Sequence, residues 1–210
     1  MKLVDPGRGE ITEVFFPDMS GESFKQQWED RSWTKNYDEL ACEAGGALLF
    51  VHPVRVVEPI RIDTTDQVVA ELVEKETPSS SAQEAFAPWD AGLAPTQVQL
   101  VELMQFLLMR VGDHLPFRVA VIVSAWDLVC NEGKSPEEWL AVRLPLLNQY
   151  LKANPELFTT QIYGMSAQGG DLQKDAGRLL QQHRPSERVV VVGQDCSQND
   201  LTAPVKWLMS

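Results

Sequence analysis

The sequence predicts an α/β fold, a three-layer sandwich in which helices cover both faces of a mostly parallel sheet. Apolar runs typical of strands occur at residues 45–53, 117–127 and 187–193, and residues 158–170 predict a strand that runs into a small-residue turn. Helical patterns separate these runs along the chain, and alternation of strands with helices is typical of parallel sheets. The run GGALLFVHP at 45–53 is continuously apolar, which favours a strand buried on both faces.

The first half of the chain predicts a hairpin followed by helices. In residues 1–17 two short apolar runs flank a Pro-Gly turn, which is a hairpin pattern. Residues 22–44 place apolar and aromatic side chains at helical spacing and predict one or two helices. Residues 95–112 are apolar nearly all round and predict a largely buried helix.

The second half carries clear helix boundaries. Ser135 is followed three residues later by Glu138, with Pro136 between them, which predicts a capping box with proline at the first helical position. Pro145 should divide this helical stretch, because proline lacks the backbone N–H that a helix interior needs. Further helices are predicted for residues 171–183 and for the terminal LTAPVKWLM.

We expect one domain over residues 1–210, since this length suits a single α/β core. Residues 54–95 interrupt the alternation and are rich in Ser, Pro and Ala in their second part. This composition predicts an insertion that ends in a loop. Trp89 within it is a candidate exposed anchor for a protein partner.

Composition excludes several classes of function. The chain has 18 basic and 30 acidic residues and a formal net charge of -12, which should repel nucleic acid and anionic lipid. Cys42, Cys130 and Cys196 lie far apart, without metal-ligand spacing, as in reduced cytoplasmic proteins. No apolar run has the length of a membrane span. We therefore expect protein partners in the cytoplasm, with no direct contact to nucleic acid or membrane.

Polar segments follow the predicted strands at their carboxyl ends, where open parallel sheets bind ligands. PDMSG (17–21) follows the hairpin, and HP (52–53) follows the strand GALLFV. SAWD (124–127) follows VAVIV, and SAQGG (166–170) follows QIYGM. The order along the chain is thus Asp-x-x-Gly, then an acid, then Ser-Ala.

In this order the segments resemble TRAFAC-class GTPase-like domains of bacteria, in particular the double-GTPase domains of predicted conflict and phage-defence operons. The resemblance covers most of the chain. It rests on PDMSGESF, SAWDLV, EGKSPEEWL with RLPLL, YGMSAQGGDL and DLTAPVKWL. It implies the sheet of a P-loop GTPase domain and, for any bound nucleotide, GTP with Mg²⁺.

The resemblance assigns the phosphate side of a site to the first segment. Asp18 would hold Mg²⁺, since this hard cation prefers carboxylate oxygens. The backbone N–H of Gly21 would face the γ-phosphate, where a side chain would block approach. Glu22 occupies the position of the water-positioning Gln of many GTPases and is the implied catalytic residue. Its charge would oppose a phosphate, which argues against efficient hydrolysis by the usual route.

The resemblance assigns the base side to the later segments. Asp127 would accept two hydrogen bonds from the guanine ring, which adenine cannot supply. Ser166 and the backbone N–H of Ala167 would complete the base pocket. Ala125 occupies the position at which GTPases commonly have a Lys that covers the base.

A phosphate loop reads G-x-x-x-x-G-K-[ST], and the chain contains Gly-Lys-Ser once, at residues 133–135. Leu128, not glycine, stands five residues before Gly133, and the motif follows the strand of Asp127. Ser135 is therefore interpreted as a helix cap. The chain resembles a GTPase domain without its first strand and phosphate loop. Each lost charge-assisted hydrogen bond costs roughly 1.5–3 kcal/mol, so the chain alone should not be a competent GTPase.

Three hypotheses follow. The leading one is a pseudo-GTPase, a GTPase-like subunit of a bacterial multi-protein system of the antiviral-defence type, that acts mainly through protein contacts. The alternative is an active GTP-binding and hydrolysing protein whose phosphate loop is supplied by a partner chain. The third is an unrelated doubly wound binding module. In structural terms alone, residues 18–21 can be a strand exit, Asp127 a cap and residues 166–170 a turn.

Overall fold

The computed structural model describes residues 2–4, 11–15, 21–59, 90–112, 115–170, 174–181, 184–194, 196 and 199–210. Over these ranges the chain is an α/β protein with helices on both faces of a mostly parallel sheet, so the predicted fold class is confirmed. Trp89 and most of the predicted insertion lie outside these ranges. Among the described helices, none has the length and apolar character needed to cross a membrane.

The described strands form two sheets. In the first, β1 (Lys2–Val4) pairs antiparallel with β2 (Ile11–Glu13), which confirms the predicted hairpin. The second sheet has the order β3 (Gly46–Val51), β4 (Phe117–Ser124), β5 (Phe158–Ser166) and β6 (Val190–Val192). The first three of these strands run parallel, whereas β6 runs antiparallel to β5. The carboxyl ends of β3, β4 and β5 therefore meet at one edge of the sheet.

Eight helices connect or follow the strands in the described part of the chain. They are α1 (Gly21–Asp30), α2 (Lys35–Glu43), α3 (Thr96–Leu108), α4 (Pro136–Arg143), α5 (Pro145–Ala153), α6 (Ala176–Gln181), α7 (Pro185–Arg188) and α8 (Ala203–Met209). Two consecutive 3₁₀ turns, Trp126–Leu128 and Cys130–Glu132, follow β4. The sequence predicts one or two helices between residues 22 and 44, and the structure has two, α1 and α2.

The capping box predicted at Ser135 and the break predicted at Pro145 are both present. The Ser135 hydroxyl oxygen accepts a hydrogen bond from the Glu138 backbone N–H at 3.2 Å, and the Ser135 N–H donates to the Glu138 carboxylate at 2.8 Å. This reciprocal pair satisfies donors that a helix start leaves free. The helical stretch then breaks at Leu144, and α5 restarts at Pro145, because proline cannot supply an interior N–H.

Strand β4 is the centre of the fold, buried over most of its length. Its alternating Val119, Val121 and Val123 pack on one face, in the same core as side chains of α3, α4 and α5. Ala120 faces the opposite layer, where a smaller core includes Trp207 and Leu208 of α8. This alternation, expected for a pleated strand, places helices on both sides of the sheet.

Two burial predictions are wrong, and both concern the same side of the molecule. Strand β3, predicted to be buried on both faces, lies at the edge of its sheet, and Phe50 is 56% exposed. Helix α3, predicted to be largely buried, buries only Gln97, Met104 and Leu107. The physical reason is that no described strand pairs with the outer edge of β3, so no described strand covers the apolar side chains along that edge.

The two ends of the predicted insertion meet. The Val57 backbone N–H donates to the Thr96 hydroxyl oxygen at 2.9 Å, and the Thr96 N–H donates to the Val57 carbonyl at 3.0 Å. Residues 57 and 96 thus close the segment where it leaves and rejoins the fold. Its status as an insertion in a single domain stays a prediction, since residues 60–89 lie outside the described residues.

Candidate functional site

Asp127 stands directly beyond the carboxyl end of β4, in the first 3₁₀ turn. Ala125 turns the chain out of the strand with φ 48° and ψ 45°, in the left-handed region that non-glycine residues rarely adopt. The turn buries the Trp126 side chain and leaves Asp127 half-buried. The local backbone therefore directs a hydrophobic residue inward and the next residue, a carboxylate, to the edge of the sheet.

Ser166, the last residue of β5, contacts Asp127. Its hydroxyl group donates a hydrogen bond to the Asp127 Oδ1 atom, and the serine side chain is only 1% exposed. The same hydroxyl oxygen accepts a hydrogen bond from the Gly169 backbone N–H at 2.8 Å. One buried hydroxyl thus joins the carboxylate beyond β4 to the turn after β5, and it holds one oxygen of that carboxylate in place.

Gly164, within β5, permits this approach of the two strand ends. A Cβ atom at position 164 would lie 2.7 Å from Cγ of Trp126 and closer still to Cδ2. The indole ring therefore occupies the space that any side chain at this strand position would need. The absence of a side chain at Gly164 sets where Trp126, and with it Asp127, lies against β5.

Gly169 has a second steric role in the turn. Its φ is +71°, and a Cβ there would lie 2.9 Å from the carbonyl carbon of Arg188, nearer still to its oxygen. Arg188 is the last residue of α7, so the turn after β5 contacts the backbone that leads into β6. Only glycine fits both the conformation and the contact.

The structure brings some predicted site residues together and leaves others undecided. Asp127 and Ser166 are in contact, and Ala167 follows as an exposed residue at the same sheet edge. Gly21 is the first residue of α1, but the Glu22 side chain is not described, and Asp18 lies outside the described residues. The assignment of these six residues to a nucleotide site stays a prediction.

Sequence reasoning missed the residues that fix this geometry. Gly164 interrupts an otherwise side-chain-rich strand, and a glycine within a strand is a signal of close approach by another group. Gly169 lies in the turn predicted at residues 166–170, but the turn pattern alone does not indicate that its N–H holds Ser166. The left-handed conformation of Ala125 had no sequence signal, because alanine seldom adopts it.

A separate cavity of about 1120 Å³ lies between β2, β3, α2, α3 and α8. Neither Asp127 nor Ser166 lines it. Its described lining is mostly apolar, with Trp28, Trp33 and Tyr37 contributing aromatic rings. This cavity is thus distinct from the strand-end pair, and it lies along the edge of β3 that pairs with no other described strand.

Comparison with known proteins assigns a family to this chain. The family model described as Double-GTPase 1 matches residues 1–208, almost the whole sequence. No curated protein and no solved structure matches the chain. The family match agrees with the α/β architecture and with the resemblance seen in the order of the sequence motifs. The chain therefore belongs to the Double-GTPase 1 family.

Proposed function

We propose that this chain is a GTPase-like subunit of a bacterial multi-protein system of the anti-phage defence type, acting mainly through protein contacts. On this proposal it is not a competent GTPase alone. The family match supports the GTPase-like character. The setting in defence rests on the resemblance to double-GTPase domains of conflict operons. The base-recognition role of the sheet edge and the inability of the chain alone to hydrolyse GTP each rest on individual residues of the chain.

The contact between Ser166 and Asp127 supports a base-recognition role for the sheet edge. Asp127 is half-buried, and Ser166 holds its Oδ1 while Oδ2 has no hydrogen bond among the described residues. An oriented carboxylate of this kind fits the paired donors of a guanine ring and rejects adenine, which would leave it unpaired. The exposed Ala167 completes the pocket through its backbone N–H in this proposal.

The capping box of α4 carries the claim that the chain is incompetent alone. The Gly-Lys-Ser sequence at 133–135 is the only one in the chain. Its Ser135 hydroxyl accepts the first-turn N–H of α4, and Lys134 pairs with Glu132 at 2.9 Å. Both side chains are engaged in local contacts after the base-side strand. The motif therefore supplies no cradle for phosphates.

For the phosphate side, Asp18 is the residue proposed to hold Mg²⁺ and Glu22 the one proposed to approach the attacking water. Mg²⁺ would supply charge neutralisation of the phosphates when bound. Gly21 begins α1, which is a suitable place for a backbone N–H to meet an anion. This part of the proposal rests on the sequence motif and the family, since neither side chain is described.

A turnover assay tests the leading proposal. We expect the purified chain to release no phosphate from GTP above the no-enzyme rate, with or without Mg²⁺. When the chain is tagged at its C-terminus and purified from cells carrying its native operon, defined partner proteins should co-purify with it at fixed stoichiometry. Phosphate release by the isolated chain that is lost in Asp127→Ala would contradict the proposal.

A second candidate function is an active GTPase whose phosphate loop comes from a partner chain. The observation in its favour is the unpaired outer edge of β3, where an added strand could join the described sheet. In a purified complex, this candidate expects GTP turnover with GTP-over-ATP selectivity that Asp127→Ala abolishes. Asp18→Asn should remove only the Mg²⁺-dependent part, and an equal loss in EDTA would mean that Asp18 is structural.

A further inference from the structure

The cavity of about 1120 Å³ beside β3, here called the strand slot, lies within the sheet layer of the fold. Strands β2 and β3 border it, α2 and α3 border it on one face of the sheet, and α8 borders it on the other. We propose that the strand slot takes an apolar β-strand of a partner polypeptide, which pairs with the outer edge of β3. This deepens the proposed function and rests on its claim that the chain acts through protein contacts.

The edge of β3 has the composition of an inner strand. All six of its residues, GALLFV, are uncharged, and the strand contains neither proline nor lysine. Edge strands normally carry charged residues, such as lysine, or proline, because an apolar strand with unpaired backbone groups tends to pair with another chain. Here Phe50 is 56% exposed, and Ala47 and Leu48 are only partly buried. The strand therefore presents to the slot apolar side chains and an edge that pairs with no other described strand.

Helix α3 also presents partly exposed apolar surface to the slot, although Leu100 and Leu103 pack against the core and Phe106 contacts Trp33. Leu100, Leu103 and Phe106 of α3 line it and are only partly buried, although α3 is apolar nearly all round. The exposed parts of these α3 side chains offer apolar contact area to an occupant of the slot.

The size of the slot fits a strand. A six-residue strand spans about 20 Å, needs about 4.8 Å beside its neighbour and fills a layer about 10 Å thick, or about 1,000 Å³ in all. This agrees with the cavity of about 1120 Å³. A helix would be about 10–12 Å wide and would satisfy its own backbone groups, leaving the edge of β3 unpaired. Main-chain pairing with β3 therefore favours an extended occupant.

Charge indicates what should flank this strand. The described lining includes Glu13, Glu43 and Glu102 and no basic residue, and the chain as a whole has a net charge of -12. Glu13 is paired with Lys2, and Glu102 is paired with Arg31. Glu43 remains as an exposed acid at the slot. A partner strand with Lys or Arg at its ends is therefore favoured over an acidic one.

The test uses the full chain and a fluorescent synthetic peptide in which two lysines flank each end of six alternating valines and isoleucines. We expect saturable binding by anisotropy and slower hydrogen–deuterium exchange confined to residues 46–51 and the hairpin. The same peptide with two central prolines should not bind, because proline lacks the donor that pairs with β3.

Three lysine variants locate the binding. Phe50→Lys on β3 and Phe15→Lys just beyond β2 each place a charge on the lining of the slot, at residues that are both 56% exposed, and each should weaken binding by about tenfold or more. Val142→Lys on α4 changes the charge equally at a side chain that is 52% exposed and lies away from the slot. It should leave binding within about twofold. Circular dichroism checks that each variant is folded.

Several outcomes would overturn the proposal. Absence of peptide binding, or binding unaffected by both slot variants, would rule out strand addition here. Protection of residues 46–51 that rises with protein concentration, without peptide, would show that a second copy fills the slot instead. The assay contains no nucleotide, so its failure leaves the GTPase-like assignment unchanged. Conversely, GTP turnover by the isolated chain would contradict the proposed function, but peptide binding to the strand slot would still stand as a separate result.

Discussion

The Ser166 hydroxyl group bridges Asp127 and the Gly169 backbone N–H, donating to the first and accepting from the second. Because the serine is 1% exposed, removing the hydroxyl leaves a buried N–H and a half-buried carboxylate oxygen without this partner. We expect Ser166→Ala to lower the free energy of unfolding by about 1–3 kcal/mol, measured by urea denaturation.

The matched control is Ser124→Ala at the end of the neighbouring strand. The Ser124 hydroxyl donates one hydrogen bond, to the Val51 carbonyl at 3.2 Å, and the side chain is only half-buried. This substitution should cost about 1 kcal/mol or less. Equal losses for the two serines would contradict the bridging role assigned to Ser166.

Gly164→Ala should disturb the turn that carries Asp127. The new methyl group would overlap the buried Trp126 ring, so the ring or the strand must shift. Overpacking of this kind costs typically 1–3 kcal/mol, and a thermal melt should show a clear fall in Tm. Gly177→Ala is the control, because a Cβ on that glycine of α6 meets nothing within 4 Å. It should stabilise the protein slightly, by about 0.4–1 kcal/mol.

Gly169→Ala tests whether the turn after β5 is fixed by contact as well as by backbone conformation. Both Gly169 and Gly112 have positive φ values, of 71° and 56°. Only position 169 faces a close atom, the Arg188 carbonyl group, whereas a Cβ at Gly112 meets nothing within 4 Å. Both variants carry the backbone cost of about 1–2 kcal/mol, and Gly169→Ala should lose clearly more. Equal melting temperatures for the two variants would contradict the proposed contact between Gly169 and the Arg188 carbonyl group.

The ion pair before α8 predicts a pH dependence of stability. The Lys206 ammonium, 2.8 Å from the Asp200 carboxylate, and the Thr202 hydroxyl lower the pKa of Asp200 from 3.8 to about 2. A depressed folded-state pKa contributes stability above the unfolded value, and this contribution is lost as pH falls from about 4 towards 2. The pair is partly exposed, so its contribution near pH 7 should be about 1 kcal/mol or less.

Melting curves of the parent chain and Asp200→Asn across this pH range provide the measurement. The parent should be more stable at pH 7, and the difference in Tm should shrink as the pH approaches 2. Added salt should reduce the difference at pH 7, because the exposed part of the pair is screened. A difference that does not change between pH 7 and pH 2 would show that Asp200 stabilises the chain by other means.

Much of the fold could be predicted because local signals were strong and agreed with one another. The capping box at Ser135 and the break before Pro145 appear as expected, since both depend on backbone donors near one residue. The hairpin and the buried β4 also follow from short-range patterns. The exposure of Phe50 could not be predicted, because GALLFV has the same pattern whether or not a further strand pairs with it.

The site was harder to predict than the fold. The meeting of Asp127 and Ser166 follows from two parallel strands ending at one edge, and the structure shows them in contact. Gly164 allows this contact because it leaves room for the Trp126 ring. Trp126 is distant from Gly164 in the sequence, so the local pattern around Gly164 could not predict the contact. The phosphate-side residues Asp18 and Glu22 stay predictions from the motif.

The most direct test of the central claim is a titration of the purified chain with a fluorescent GTP analogue in Mg²⁺, with ATP as competitor. We expect no guanine-selective binding at about micromolar affinity, because the only Gly-Lys-Ser of the chain caps α4. Guanine-selective binding at about micromolar affinity or tighter would contradict it, since another part of the chain would then hold the phosphates.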